Sequence, residues 1–459
     1  MDWTSGFIGI SAFVVRELTL FAAAGFILLG IGDLAVDLTW LALRAKRALL
    51  RIEPASVATL PPPRRRGRLV LFVPAWQEAE VIGQMLRHAL RRFDHDDYLI
   101  YVGCYPNDPA TAKAARDVGD PRVRVVVGCS PGPTTKADCL NSIWAALVAD
   151  EHAEGWRAKA VVLHDAEDVV HSAELRLFDC LVERFDLVQI PVLPLIDKGS
   201  RWIAGHYADE FAEAHGKEMV VREALGAGLP SAGVGCAIAR EALDALAEHG
   251  GQPFDAASLT EDYELGLRLC AMGRRSAFVR IPADPGGQAV ATREHFPATI
   301  DSAVSQKARW MVGIALSGWD RLGWGGGLAE RWMRLRDRQS LLAAVLLCAA
   351  YGALLTTAPL AALAVSTGHG VVLMTPTLAL LSYAAMSLLL WRLAVRFAFV
   401  TAAYGWREGI RSLPRILVGN AIAMLAARRA VGRYLLAQRS GRSDWDKTRH
   451  VFPAQVPAE

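Results

Sequence analysis

Three short strings carry the residue types that chemistry needs. Asp165-Ala-Glu167-Asp168 puts three carboxylates directly after the strand-like run Ala160–His164. Charges that close repel unless a cation or hydrogen-bond donors sit among them. Asp165, Glu167 and Asp168 are therefore candidate ligands for Mg2+ or Mn2+ bridging a substrate diphosphate, with helix capping as the competing explanation. Thr260-Glu261-Asp262 opens a helical run, Tyr263–Met272. Thr260 is expected to cap that helix, and acids suit its first turn. Asp262 is also a candidate general base that takes a proton from an acceptor hydroxyl, with Glu261 on the acceptor side. In Gln306-Lys-Ala-Arg309-Trp310 the helical spacing lets Gln306, Arg309 and Trp310 share a face. Arg309 can neutralise a leaving diphosphate, and Trp310 offers a flat apolar surface to a sugar ring.

These strings need a scaffold, and the chain supplies an alternating one. Leu69–Pro74, Leu99–Cys104, Val123–Gly128, Ala160–His164 and Leu187–Pro191 read as short strands, with helix-period stretches such as Glu80–Arg92 and Lys136–Val148 between them. That rhythm predicts βαβ units and a mostly parallel sheet, which binds ligands beyond the C-terminal ends of its strands. The 459 residues are too many for one ordinary core, and the apolar excess (53% hydrophobic overall) sits at the two ends. About Leu18–Leu43 is long enough to span a bilayer. Arg16 and Glu17 before it, and the lack of a small-residue cleavage site after it, disfavour a signal peptide. Asp33 and Asp37, four apart, are expected to meet other helices or the interface rather than lipid.

Runs near 341–365 and 371–391 predict a transmembrane hairpin around Ser366–Gly370, while 329–338 and 407–437 read as interfacial helices. A third C-terminal span at 413–427 is the alternative. The basic flank Arg44, Lys46, Arg47, Arg51 and Arg64–Arg66 places both long polar regions in the cytoplasm. Lys and Arg (50) barely exceed Asp and Glu (47), so composition points to no nucleic-acid partner. Seven scattered cysteines fit reduced thiols rather than a disulfide framework.

Taken in order, Asp165–Asp168, Thr260–Asp262 and Gln306–Trp310 resemble the motifs of family 2 glycosyltransferases, which include cellulose and hyaluronan synthases. Val73-Pro74-Ala-Trp-Gln-Glu78 resembles the family's opening strand motif, which implies that Pro74 and Glu78 lie near the nucleoside. Lys136-Ala-Asp138-Cys-Leu-Asn141 is similar to its K-A-x-x-L-N element, which implies that Lys136, with Asp138, meets the diphosphate. Glu294-His-Phe-Pro297 is also similar. Pro74–Glu78, Tyr105–Asp108 and His164–His171 resemble more narrowly the membrane glycosyltransferases grouped with the phage-adsorption protein B. The family's Asp pair after the second strand is replaced by Gly103-Cys-Tyr-Pro-Asn-Asp108, so Asp108 serves the base alone or the base is held differently. Ser231–Cys236 occupies the place of the acceptor-side loop, where Gly233 and Gly235 would let a sugar chain or lipid come close, unless the segment is an ordinary turn.

The resemblance implies an α/β fold: a cytoplasmic GT-A domain, Rossmann-like with a mostly parallel sheet, with transmembrane helices at both ends and interfacial helices. The expected organisation is a membrane segment at 1–47, a Pro-rich linker at 48–67, the transferase domain at 68–320, an interfacial helix at 321–340, a membrane hairpin at 341–400 and a basic tail at 401–459. The implied activity is inverting transfer of a hexose or N-acetylhexosamine from a UDP-sugar to a glycan or lipid-linked acceptor, with Mg2+ or Mn2+, at the bacterial inner membrane. Besides donor, acceptor and bilayer, an outer-envelope export partner is expected. The rival is a degenerate transferase domain that serves as a nucleotide-binding or assembly component of an export complex.

Overall fold

The computed structural model describes residues 3–370, 372–440 and 452–453; the rest of the basic tail expected at 401–459 lies outside them. Among the described residues nine strands form: β1 (Leu69–Pro74), β2 (Tyr98–Cys104), β3 (Val123–Val127), β4 (Ala160–Leu163), β5 (Leu187–Gln189), β6 (Val192–Leu195), β7 (Cys236–Ala239), β8 (Ser276–Phe278) and β9 (Thr292–His295). Seven make one sheet in the order β3-β2-β1-β4-β7-β5-β8. It is parallel except that β7 runs antiparallel to both β4 and β5. β6 and β9 form a separate parallel pair. The five expected strands stand where the sequence places them, most ending one or two residues short. The expected helices appear as Ile82–Arg92 and Lys136–Glu154.

β1 shows why this segment must be a central strand. All six of its residues are buried, and alternate side chains feed opposite cores. Leu69, Leu71 and Val73 pack with Ile82, Met85 and Leu86 on one face. Val70 and Phe72 pack with Leu140, Ile143 and Leu147 on the other. The βα loops therefore collect at one edge, next to the apolar helices.

Four described helices are long and apolar enough to cross a membrane: Gly6–Leu49, Ser340–Ser366, Pro376–Tyr404 and Trp406–Gln438. The first is longer than expected, and its last turns reach the α/β domain, where Val36, Trp40 and Leu43 meet Val221 and Met333. The segment 329–338 forms a helix, Leu328–Arg338. Trp406–Ser440 is one continuous helix rather than a short span at 413–427. Its length and hydropathy would allow a crossing. One side, however, packs on helices Ile203–Glu213 and Ile300–Trp310 of the α/β domain, and its Arg415 is fully buried against Asp209 (3.0 Å) and Glu408 (3.1 Å). The helix also packs on helices Ser340–Ser366 and Pro376–Tyr404, so it bridges the α/β domain and the apolar helices.

Asp33 and Asp37 behave as expected of acids in an apolar helix. Asp33 accepts from Arg336 (3.0 Å) and Arg392 (2.9 Å). Asp37 accepts from Lys217 Nζ (2.5 Å) and Trp391 Nε1 (2.8 Å), which staples the first helix to the α/β domain. Breaking one side of such a buried pair leaves an uncompensated charge, whereas removing both sides does not. Asp37→Leu is expected to cost about 1–3 kcal/mol, because Trp391 Nε1 loses its acceptor while Lys217 keeps only Glu213 at 3.2 Å. Asp37→Leu with Lys217→Met should recover part of that, because Glu213 keeps Arg396 at 2.6 Å. Denaturation midpoints in lipid nanodiscs check both variants.

Candidate functional site

At the loop edge of the sheet lies a cavity of about 110 Å³. Its polar wall brings together Lys136, Asp165, Glu261, Asp262, Glu294, Gln306 and Arg309, and its apolar wall is built by Val192, Phe211, Val234, Phe296 and Trp310. Segments more than a hundred residues apart in sequence thus converge on one space.

Local structure explains each placement. Thr135 and Asp138 form a capping box: the Thr135 hydroxyl accepts from Asp138 N (3.2 Å), and the Asp138 carboxylate accepts from Thr135 N (3.3 Å). This fixes the first turn of helix Lys136–Glu154 and presents Lys136, whose Nζ lies 2.6 Å from Asp165. Burial opposes the ammonium charge, but Asp165, Glu261 and Asp262 more than offset it and raise the Lys136 pKa above its ordinary value.

Glu261 and Asp262 begin helix Glu261–Ala271. Burial, together with the Asp262 charge, pushes Glu261 up to about 7, and burial likewise raises Asp262. A raised carboxyl suits a base that must work near neutrality. Thr260 stands at the N-cap position but makes no capping bond, contrary to expectation. Its side chain presses against Gly313, where an added Cβ would fall 2.5 Å from Oγ1. The hydroxyl is buried without a partner, and Ser258 accepts from Thr260 N instead (3.2 Å).

Gly233 has φ +76°, and a Cβ there would sit 2.6 Å from Asp262 Oδ2, so the loop needs glycine to lie against the candidate base. Gly235 faces Thr292 and Ile190 rather than open space. Its expected acceptor role gives way to packing between strands.

On helix Ile300–Trp310, Gln306 Oε1 and Arg309 Nε are buried and unpartnered, an arrangement suited to a ligand's donors and acceptors. Trp310 keeps partial exposure within an aromatic cluster, with ring centroids 6.0 Å from Tyr207, 6.5 Å from Phe211 and 6.5 Å from Phe296. It is both packed and presented.

Other expected site residues are used differently. Of the three candidate metal carboxylates, only Asp165 lines the cavity. Asp168 is fully buried, with Oδ2 2.7 Å from His164 Nδ1, and Glu167 is buried beside the cavity. Asp138 is spent in the capping box. Asp108 caps helix Pro109–Arg116 through Thr111 N (3.3 Å) and accepts from Gln77 N (2.6 Å), so backbone amides occupy the carboxylate expected to serve the base. Pro74 ends β1, and Glu78, whose amide donates to Thr111 Oγ1 (2.9 Å), lies in the same loop cluster outside the cavity. Glu294 and Phe296, both within the Glu294–Pro297 string, and Phe211 also line the cavity. Phe211 had no local signal, lying in an ordinary helical pattern.

Among the described residues no three His, Cys, Asp or Glu side chains form a ready metal cage. The donor chemistry nevertheless fits a divalent cation. Burial, with Asp168, Glu167 and Asp165 nearby, holds Glu294 well above the carboxylate range. A cation relieves such crowding, and Mg2+-type sites are often completed by substrate phosphates rather than by protein alone.

Residues 65–313 match the family described as Glycosyltransferase like family 2. The chain belongs to that family. Bacteriophage adsorption protein B of Escherichia coli (strain K12) and Bacteriophage N4 adsorption protein B of Escherichia coli O157:H7 are each 36% identical to it over 487 aligned positions. The match covers 99% of this chain and 64% of theirs, so the chain spans less than two thirds of the length of these curated relatives. Among solved structures, the mannosyltransferase PcManGT from Pyrobaculum calidifontis, in complex with GDP-Man and Mn2+, has the same fold. Its TM-score is 0.52 at 17% identity, over 91% of this chain and 99% of that one.

Asp262→Asn keeps size and the bond from Tyr263 N (2.7 Å) but removes the candidate base. Turnover is expected to fall by about 10²-fold or more with little change in melting temperature, checked by nucleotide release beside a thermal scan. Glu261 also makes stability depend on pH. Its folded value near 7 exceeds its ordinary 4.5, so the folded state holds the proton more tightly and loses stability as pH rises from about 4.5 to 7. Glu261→Gln should flatten that part of the stability–pH curve, measured by denaturation across the range.

Proposed function

We propose that the protein is an inverting glycosyltransferase moving a hexose or N-acetylhexosamine from a UDP-sugar to a glycan or lipid-linked acceptor. The site works at the cytoplasmic face of a bacterial inner membrane. The observation that carries this reading is the meeting of Asp262, Lys136, Arg309 and Asp165 around one cavity with an aromatic wall.

Asp262 Oδ2 takes the proton of the acceptor hydroxyl as that oxygen attacks the anomeric carbon. The bond from that carbon to the diphosphate oxygen breaks on the opposite face, which inverts the centre. The electron pair leaves with the diphosphate, whose charge Lys136 and Arg309 stabilise. Trp310, with Phe296 and Phe211 behind it, stacks against the acceptor sugar. Gln306 Oε1 accepts from a sugar hydroxyl, and Glu261 borders the same side. A divalent cation held by Asp165, with Glu167 nearby, and by the donor phosphates would supply further neutralisation of the leaving group. The similar fold solved with GDP-Man and Mn2+ supports those ligand classes, and uridine remains the favoured nucleoside.

The proposed layout keeps a membrane segment at 1–47, a linker at 48–67, the transferase domain at 68–320, a membrane hairpin at 341–400 and a junctional helix and tail beyond 401. An envelope export partner would receive the product. The backbone engagement of Asp108 favours one rival, a degenerate nucleotide-binding domain within such a complex. The intact base and diphosphate residues weigh against it.

A scan of nucleotide-sugars with protein in lipid, with Mn2+ or with excess EDTA, separates the two. Release of UDP and labelled glycan from a UDP-sugar, lost in EDTA, is the expected result. Donor binding without turnover under any condition would favour the rival. Full activity in EDTA would leave charge balance to Lys136 and Arg309 alone.

A further inference from the structure

The turn that presents Asp165 is held by a buried side chain with no role in the reaction just described. His164 follows β4, and its ring, Asp168 and Glu174 are all fully buried. His164 Nδ1 lies 2.7 Å from Asp168 Oδ2 and Nε2 lies 2.6 Å from Glu174 Oε1. The same Asp168 Oδ2 accepts from the Asp165 amide at 3.0 Å. The ring therefore holds the carboxylate that holds the backbone of Asp165. Glu174 anchors the far end of the turn and begins helix Glu174–Leu181. Between them, Val169 N donates to Arg293 O (2.7 Å) and Arg293 N to Val169 O (3.0 Å). That bridge ties the turn to β9, which carries Glu294.

We infer that His164 is a positioning residue: through Asp168 it sets the place of Asp165, and through the strapped turn it keeps Asp165 in register with Glu294 across the donor side of the cavity. Three charged groups without solvent form a costly arrangement that an apolar core would not need. Their cost is understandable where a carboxylate must be held to a fraction of an ångström. A histidine is suited to the task because its two ring nitrogens point in opposed directions and bind two carboxylates at once. The inference rests on the transferase reading for what Asp165 does, but the hold itself can be observed without any donor.

The two arms can be cut separately. In His164→Asn the side-chain amide nitrogen falls near the place of Nδ1 and keeps the Asp168 arm. In His164→Gln it falls near Nε2 and keeps the Glu174 arm. Full-length protein in nanodiscs is compared by hydrogen exchange over residues 165–169, by UDP-sugar affinity and by melting temperature. Both variants should lose similar stability. The Gln variant should exchange the Asp165 amide at least about tenfold faster and bind donor about tenfold more weakly, while the Asn variant retains most of both. Equal exchange in the two variants would overturn the hold. Faster exchange in Gln with unchanged donor affinity would overturn the positioning role and leave a structural plug. A wild type that binds no nucleotide-sugar would sink the transferase reading instead, and exchange would still decide whether His164 holds the turn.

Discussion

The structure turns on the charge of Lys136. A capping box fixes the first helical turn, and that turn delivers one ammonium into a space walled by Asp165, Glu261, Asp262 and Glu294. With Arg309 there are two cations against four carboxylates before any substrate arrives. A nucleotide diphosphate brings more negative charge. Glu261 and Glu294, both raised, hold protons more readily than ordinary carboxylates, and a divalent cation entering with the phosphates would relieve the same crowding. Carboxylates raised above their ordinary values and a space suited to a diphosphate with its cation thus follow from one imbalance.

Helix Ile203–Glu213, beside helix Ile300–Trp310, joins the site to the apolar helices. It sends Tyr207 and Phe211 toward Trp310. Its Asp209, Glu210 and Glu213 pair with Arg415 (3.0 Å), Lys307 (2.5 Å) and Arg396 (2.6 Å). The aromatic wall and the helices Pro376–Tyr404 and Trp406–Ser440 therefore share one rigid support. Ile422, Ala426 and Ala430 continue the same core as Phe296 and Met311. An acceptor reaching Trp310 would lie close to the junction between the transferase domain and those helices.

How far the sequence could be read depended on where the signal lay. β1 was legible to the residue because burial on both faces writes a continuous apolar run. β7 was not, because Cys236-Ala-Ile-Ala239 carries no period that marks an antiparallel strand between β4 and β5. That Asp262, Lys136 and the Gln306–Trp310 face meet at one cavity was legible because residue type and spacing mark them. Asp168, Asp138 and Asp108 were assigned to ligands because a carboxylate looks the same in sequence whether it meets a metal, an imidazole or a backbone amide. What distinguishes them is the partner each finds in the fold: His164 for Asp168, the Thr135 amide for Asp138, and the Gln77 amide of another loop for Asp108. Phe211 entered the site through helix placement alone.

The central claim is that this cavity is charge-balanced for a nucleotide diphosphate through Lys136. The most direct test is calorimetric UDP binding to the wild type and to Lys136→Met, each with and without Mn2+. The account predicts measurable UDP binding by the wild type that strengthens with Mn2+, and loss of about tenfold or more in the Met variant under both conditions. UDP bound as tightly by Lys136→Met as by the wild type would contradict it.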